Sequence, residues 1–217
     1  YVPRIKDYGG FVVAMATTVD DAARLEASGA DAIVAQGSEA GGHRSLLDAA
    51  AAADAPLIGT LALVPQVVDA VSVPVIAAGG IMDGRGVAAA LALGAQAAQL
   101  GTRFLLARES GTFPAYRRRL CEARETDTVM TLAISGRPAR ALHNEFVRAV
   151  DGAGTPPLSW PYQALAAEDL FRAAISADDA NWAPLLAGQG LRLALTEASA
   201  AEIIEAIVSG VVAARER

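Results

Sequence analysis

The strongest constraint on this chain is a repeated alternation of short, wholly apolar segments with helical ones. Phe11-Val12-Val13-Ala14-Met15-Ala16, Asp31-Ala32-Ile33-Val34-Ala35, Pro74-Val75-Ile76-Ala77-Ala78 and Ala97-Ala98-Gln99-Leu100 each read as a strand. They are rich in Val, Ile and Ala and lack the polar alternation of a strand with one wet face. Helix signals lie between them. Asp20 is a candidate cap for a helix stopping at Gly29, and Asp83 for one stopping at Gly94. Val64 to Val71 reads as a helix with Pro65 in its first turn. Strands buried on both faces and joined through helices predict a parallel sheet covered by helices. An open doubly wound sheet and a (β/α)8 barrel both meet that description. The later strands run into Gln36-Gly37, Gly79-Gly80 and Gly101-Thr102. Loops at the C-terminal ends of strands are where barrel enzymes place their chemistry, which favours the barrel.

Composition narrows the function classes. Hydrophobic residues make up 53% of the 217 and aromatics only 5%, so Ala, Val and Leu must fill the core. A net charge of -6 with no basic run argues against nucleic acid or anionic lipid as a partner. Cys121 is the single cysteine, which excludes an internal disulfide and a cysteine-based metal centre. With only His43 and His143, no multi-histidine metal site is expected either. The apolar stretch from Ala55 to Met82 is broken by Pro56, Pro65, Asp69 and Pro74, short of the roughly 20 residues a membrane span needs. The expectation is a soluble, cytoplasmic protein, with homo-oligomerisation left open.

The chain opens Tyr1-Val2-Pro3 without Met and enters a strand almost at once, which reads as the interior of something longer. Residues 1–108 carry the βα rhythm. Residues 109–180 lose the βα rhythm, carry a cluster of Arg and Trp160, and read as a mostly helical insertion or lid. Residues 181–217 return to alanine-rich helix, starting from Leu185.

Two constellations could carry chemistry. Gly79-Gly80 and Gly101-Thr102 close two adjacent strands, each offering unhindered backbone N–H groups in front of a helix N-terminus, and Thr102 adds a hydroxyl. That is an arrangement for a phosphate, though glycines in tight turns explain it too. The second is Gln36 through His43, where an imidazole suited to proton transfer follows Gly41-Gly42 in a loop. A surface histidine in a mobile loop is the plain alternative. Gln99 could aim an amide at a ligand, and Gln189 in Ala187-Gly188-Gln189-Gly190 could close the site. His143 reads as a solvated helix position. Cys121, among Arg117, Arg118, Arg119 and Arg124, would have a lowered pKa if those side chains are close, but with no base nearby in sequence a structural cysteine is the favoured reading.

The segment Gly29 to Arg44, with Glu39-Ala40-Gly41-Gly42-His43 at its heart, closely resembles the histidine motif of nitronate monooxygenases. Pro74–Ile81 and Gln99–Phe104 look like that family's two FMN-phosphate loops. Ser135-Gly136-Arg137-Pro138-Ala139-Arg140 and Ala187-Gly188-Gln189 resemble its later motifs, so the likeness runs from about residue 12 to about 195. The same motif group includes FMN-dependent enoyl-acyl-carrier-protein reductases and NAD(P)H:quinone reductases. The resemblance implies FMN in a (β/α)8 TIM barrel with a helical second domain, and oxidation of nitronates by O2 to carbonyl compound and nitrite. It makes His43 the catalytic base or acid near the flavin N5. Gln36, Gly41 and Gly42 would contact FMN from the histidine loop, and Gly79, Gly80, Gln99, Leu100, Gly101 and Thr102 would hold its phosphate, with Gln189 beside them. Only four strands are visible where a barrel needs eight. The expectation is therefore an incomplete barrel lacking its N-terminal strands. The alternatives are an NAD(P)H-dependent reductase on the same scaffold, a half-barrel that is catalytically silent on its own, and a flavin-free phosphate-binding barrel enzyme.

Overall fold

A computed structural model describes residues 1–47, 56–193 and 196–216. The alanine-rich stretch at 48–55 and part of the expected C-terminal helical region, 194–195, lie outside those residues. The chain divides into two compact units. The first comprises the described residues of Tyr1–Ala40, Ser45–Leu100 and Ile204–Arg217; the second comprises Gly41–Arg44 and Gly101–Ile203.

The first unit is an α/β layer. After a short helix α1 (Val2–Asp7) come β1 (Val13–Ala16), α2 (Val19–Ala27) and β2 (Ala32–Gln36). A two-residue strand of the second unit, β3 (Gly42–His43), interrupts the order before α3 (Thr60–Ala70), β4 (Val75–Ala78), α4 (Gly84–Ala92) and β5 (Ala97–Gln99). The four strands of this unit form one parallel sheet in the order β1-β2-β4-β5. Ile33, Ala35, Val75 and Ala77 pack with Leu63, Val64 and Val67 of α3 in its core. All four expected strands are present in a parallel α/β fold, and no closed barrel forms among the described residues.

The element ends differ from the sequence reading in instructive ways. Phe11 is exposed and precedes β1, because the chain there is held by Asp31, whose carboxylate accepts the Val12 N–H at 2.7 Å. Thr18, not Asp20, caps α2, its hydroxyl accepting from the Asp21 N–H at 3.1 Å, and Asp20 falls in the first turn. Helix α3 starts at Thr60 and takes Pro65 into its interior instead of its first turn. Asp83 does cap α4, accepting from the Arg85 and Gly86 amides.

The second unit continues with a 3-10 turn at Thr102–Leu106, then α5 (Pro114–Glu122), β6 (Thr128–Thr131), β7 (Ala139–Leu142), α6 (Glu145–Asp151) and α7 (Tyr162–Ser176). Alongside its helices it contains an antiparallel sheet, β3-β7-β6, which the reading of 109–180 as helical did not foresee. That sheet draws His43 into the unit, and both expected boundaries, 108 and 180, fall inside it. Phe146 and Phe171 meet edge-on at 4.8 Å in its core with Ala133, Val147 and Ala167.

The helix expected from Leu185 starts later. Leu186 bridges to Ala141 of β7, Leu191–Leu193 makes a single 3-10 turn, and α8 spans Ala200–Arg215. Its start is fixed by a reciprocal box. The Ser199 N–H donates to Glu202 Oε2 at 2.6 Å, and the Glu202 N–H donates to Ser199 Oγ at 3.1 Å. Beyond Ile203 α8 belongs to the first unit and crosses α4 at a glycine pair. A Cβ on Gly84 would lie 2.4 Å from the backbone of Ile207, Gly210 and Val211. Replacing Gly with Ala ordinarily favours a helix by up to about 1 kcal/mol, but here overpacking wins. Gly84→Ala is expected to destabilise the chain by about 1–3 kcal/mol, read from urea unfolding; a stabilised variant would show that the crossing is looser than this.

Candidate active site

Each unit carries a share of the residues singled out in the sequence. In the first unit the loops after β2 and β4 are tied together by one acidic side chain. The Thr60 amide donates to both carboxylate oxygens of Glu39 at 2.9 Å, which supplies the cap that Gly59 lacks. The Thr60 hydroxyl lies 2.9 Å from both Glu39 Oε2 and the Gly79 carbonyl, two acceptors for one proton. Gly79 and Gly80 have φ of 114° and 68°, values that L side chains rarely adopt. A Cβ on Gly79 would come within 2.9 Å of Thr60 Oγ1 and 3.1 Å of the Ala40 amide. The glycine pair is thus demanded by the turn itself. Glu39 is the functional neighbour that motif reading overlooked, and the signal was a polar residue with no partner nearby in sequence.

Gln36, at the end of β2, is buried, and its Oε1 accepts the Ser45 amide at 3.0 Å. Gln99 stands exposed at the end of β5, while Leu100 packs against the first unit's core.

In the second unit His43 belongs to a strand, not to the flexible loop expected. It pairs with Ala139, and Gly42 pairs with Arg140. Gly41 lies against the backbone of the later motif: a Cβ there would be 2.5 Å from the Gly188 amide and 2.6 Å from the Ala187 carbonyl carbon. The Gly188 amide in turn donates to Thr102 Oγ1 at 3.0 Å. Three segments far apart in sequence thus converge, and Gln189 is the exposed residue next to that junction. Tyr116 of α5 adds support. Its buried phenol, with its pKa pushed up by burial, donates to the Leu186 carbonyl just before the junction. Gly101 behaves differently from the crowded glycines. A Cβ there would meet nothing within 4 Å, and no side chain caps the 3-10 turn it precedes.

The His43 ring has Nε2 2.6 Å from Ser135 Oγ. Although the residue as a whole is exposed, partial desolvation of the ring, and secondarily the Arg137 guanidinium, hold its pKa below the ordinary imidazole value. Both effects favour the neutral ring, the form able to accept a proton. His143 is exposed between β7 and α6, not on a helix. The Cys121 thiol is pushed up, first by burial and then by Glu197 and Glu122, so its arginine neighbours in sequence do not activate it.

Comparison with known proteins settles the family. The family model described as nitronate monooxygenase matches residues 1–210. The chain belongs to the nitronate monooxygenase family. A "Probable nitronate monooxygenase" of Staphylococcus saprophyticus is 41% identical over 207 residues, and this chain spans 58% of its length. One from Staphylococcus haemolyticus is 43% identical over 188 residues, with 86% of this chain and 52% of that protein covered. Among solved structures, a nitroalkane oxidase from Streptomyces ansochromogenes superposes on 99% of this chain and 61% of its own with TM-score 0.91 at 42% identity. FabK from Thermotoga maritima superposes on all of this chain and 65% of its own, with TM-score 0.84 at 35% identity.

Two measurements check this geometry. Thr60→Val keeps the shape and deletes the hydroxyl; it is expected to cost about 1 kcal/mol in urea unfolding, whereas Thr60→Ser should stay near wild type. The His43 ring should titrate below the ordinary value near 6.5 in a proton NMR titration. Because the folded-state pKa lies below the unfolded one, its contribution to stability is full above about pH 6.5 and is lost as pH falls through the folded midpoint. A midpoint at or above 6.5 would contradict the desolvated ring.

Proposed function

We propose that this chain carries the phosphate loops and the reactive histidine of an FMN-dependent oxidoreductase, which oxidises alkyl nitronates with O2 to a carbonyl compound and nitrite. The observation that carries the reading is His43: a neutral, partly desolvated imidazole in a Glu-Ala-Gly-Gly-His segment of a nitronate monooxygenase family chain. FMN, when bound, supplies the redox chemistry, taking electrons from the substrate and passing them to O2.

The chain's own residues suit such a ligand in separate ways. Gly101 leaves open room before an uncapped turn, whose first N–H groups suit a phosphate oxygen. Thr102 accepts from Gly188 through Oγ1 and keeps its hydroxyl proton to donate. Gly79 and Gly80 hold the left-handed backbone that presents unhindered amides, with Gln99 and Leu100 leading into the second loop. Gly42 also has open space where a side chain would stand. Gln36 and Gly41, both assigned to FMN by the motif, already serve the protein: Gln36 Oε1 holds Ser45, and Gly41 lies on the 187–188 backbone. Gln189 is exposed beside the 187–188 backbone. His43 acts as the base that takes a carbon-bound proton from a neutral nitroalkane or orients the nitronate. A cytoplasmic location fits the composition, and no helix among the described residues is long and apolar enough to cross a membrane.

The test is the visible absorption spectrum of the purified chain with and without added FMN, followed by nitronate plus O2 with nitrite as the readout. The expected result is a bound-flavin spectrum and nitrite release. Rapid bleaching by NADH without nitrite release would move the reading to an NAD(P)H-dependent reductase. Flavin uptake without either turnover would mark a chain that binds but does not catalyse. Absence of uptake would remove FMN from these residues. Gly101→Val, which fills open space and leaves the fold intact, is expected to weaken FMN binding at least about tenfold, a loss of roughly 1.4 kcal/mol; unchanged affinity would separate Gly101 from the phosphate.

A further inference from the structure

We propose that Ser135 is a positioning residue for His43, its hydroxyl donating to Nε2 and so fixing the neutral imidazole with its proton on Nδ1. The argument starts from the hydroxyl. Ser135 is only 4% exposed, and a buried hydroxyl proton needs an acceptor. Its Oγ receives the Arg137 N–H at 3.3 Å, a group that can only donate. The other contact of Oγ is His43 Nε2 at 2.6 Å. Both demands are met in one arrangement, with Oγ accepting from Arg137 and donating to Nε2. That places the ring's lone pair on Nε2, because the nitrogen that accepts cannot carry the proton in a neutral imidazole.

A serine hydroxyl against an imidazole nitrogen also resembles a nucleophile–base pair. Burial argues against that role, since Ser135 is only 4% exposed. The loop that carries Ser135 is held instead as a fixed support. The Gly136 amide donates to the Leu132 carbonyl at 2.8 Å, and Gly136 takes φ 80° with its Cα hydrogen side only 2.2 Å, at the Cβ position, from the Leu158 carbonyl. The Arg137 guanidinium lies 5.8 Å over the Trp160 ring. Beyond it the Arg44 amide donates to the Pro138 carbonyl, and His43 pairs with Ala139. Ring and hydroxyl thus sit on one braced hairpin-like frame. The Arg137 guanidinium acts on the ring, whereas Arg140 of β7 pairs with Gly42, one position before His43, and so stands on the other face of the sheet.

The consequence concerns where the proton goes. A proton entering at Nε2 would leave the buried Ser135 hydroxyl between two donors, the Arg137 N–H and the new ring N–H, so the serine favours the neutral ring and sets a cost on proton transfer to it. What that proton transfer serves rests on the function proposed above, but the tautomer does not, and its test needs neither flavin nor turnover.

The test is long-range nitrogen–proton NMR of the two histidine rings in the full chain, in wild type, Ser135→Ala and Ser135→Thr. Neutral wild-type His43 is expected to carry its proton predominantly on Nδ1. Ser135→Ala should abolish that preference and raise the His43 midpoint by about half to one pH unit. Ser135→Thr, which keeps a hydroxyl, should retain the wild-type tautomer, and His143 should move in neither variant. A wild-type ring protonated on Nε2 overturns the proposal, as does a tautomer unchanged in Ser135→Ala. If Ser135→Ala does not fold, the wild-type tautomer decides the matter.

Discussion

The Glu39 carboxylate at the first turn of α3 is the contact on which the candidate site's first half depends. One side chain satisfies the leading amide of a helix whose own cap position is glycine. Through Thr60 it also reaches the Gly79 carbonyl, so three loops after or before parallel elements share one hydrogen-bonded node. An anion at a helix N-terminus is favoured by the exposed amides and the helix dipole. Here the protein supplies that anion itself. The start of α3 is therefore already occupied by the protein's own carboxylate.

The same segment explains why two glycines precede the histidine. Residues up to Ala40 belong to the first unit, Gly41–Arg44 to the second, and Ser45 returns to the first. The excursion is closed at its base inside the first unit: Gln36 Oε1 accepts the Ser45 amide, and Ser45 Oγ donates to the Met15 carbonyl. At its tip, Gly42 takes φ 81° and Gly41 lies too close to the 187–188 backbone for any Cβ. The glycines thus fit a chain that leaves one cooperative unit, donates a two-residue strand to another, and comes back. The flexibility first read into them is the opposite of what they provide, because Gly42 and His43 are locked into β-pairing with Arg140 and Ala139.

What the sequence made legible follows from how local each signal is. The four parallel strands and the Asp83 cap were readable because apolar runs and N-cap residues act within a few positions. The start of α3 was not, because its cap comes from Glu39, 21 residues away. The three-stranded sheet of the second unit was hidden for the same reason: β3 is two residues long and its partner, β7, is nearly a hundred residues later. The Ser199-Ala-Ala-Glu202 box is a local signal that the reading of a helix from Leu185 passed over. Cys121 shows the limit of counting charge along the chain: arginines stand beside it in sequence, but burial and Glu197 set its environment, as fits the structural cysteine that the sequence favoured.

His43 shows why a motif can name a reactive residue and still leave its chemistry open. Residue type supplies an imidazole, but an imidazole can be base, acid or donor, and the choice is made by what touches each nitrogen. Here that choice lies with Ser135 and Arg137, 92 positions on in the case of the serine, on a loop braced by Gly136 and Trp160. Desolvation and the guanidinium both disfavour the imidazolium, and a hydroxyl that donates to Nε2 favours the neutral ring in the same sense. A carboxylate in the place of Ser135 would have raised the pKa and held the ring protonated; a backbone carbonyl could only have accepted. A serine that donates to Nε2 leaves the ring neutral and oriented, so the partner of one nitrogen decides a property that residue type leaves open.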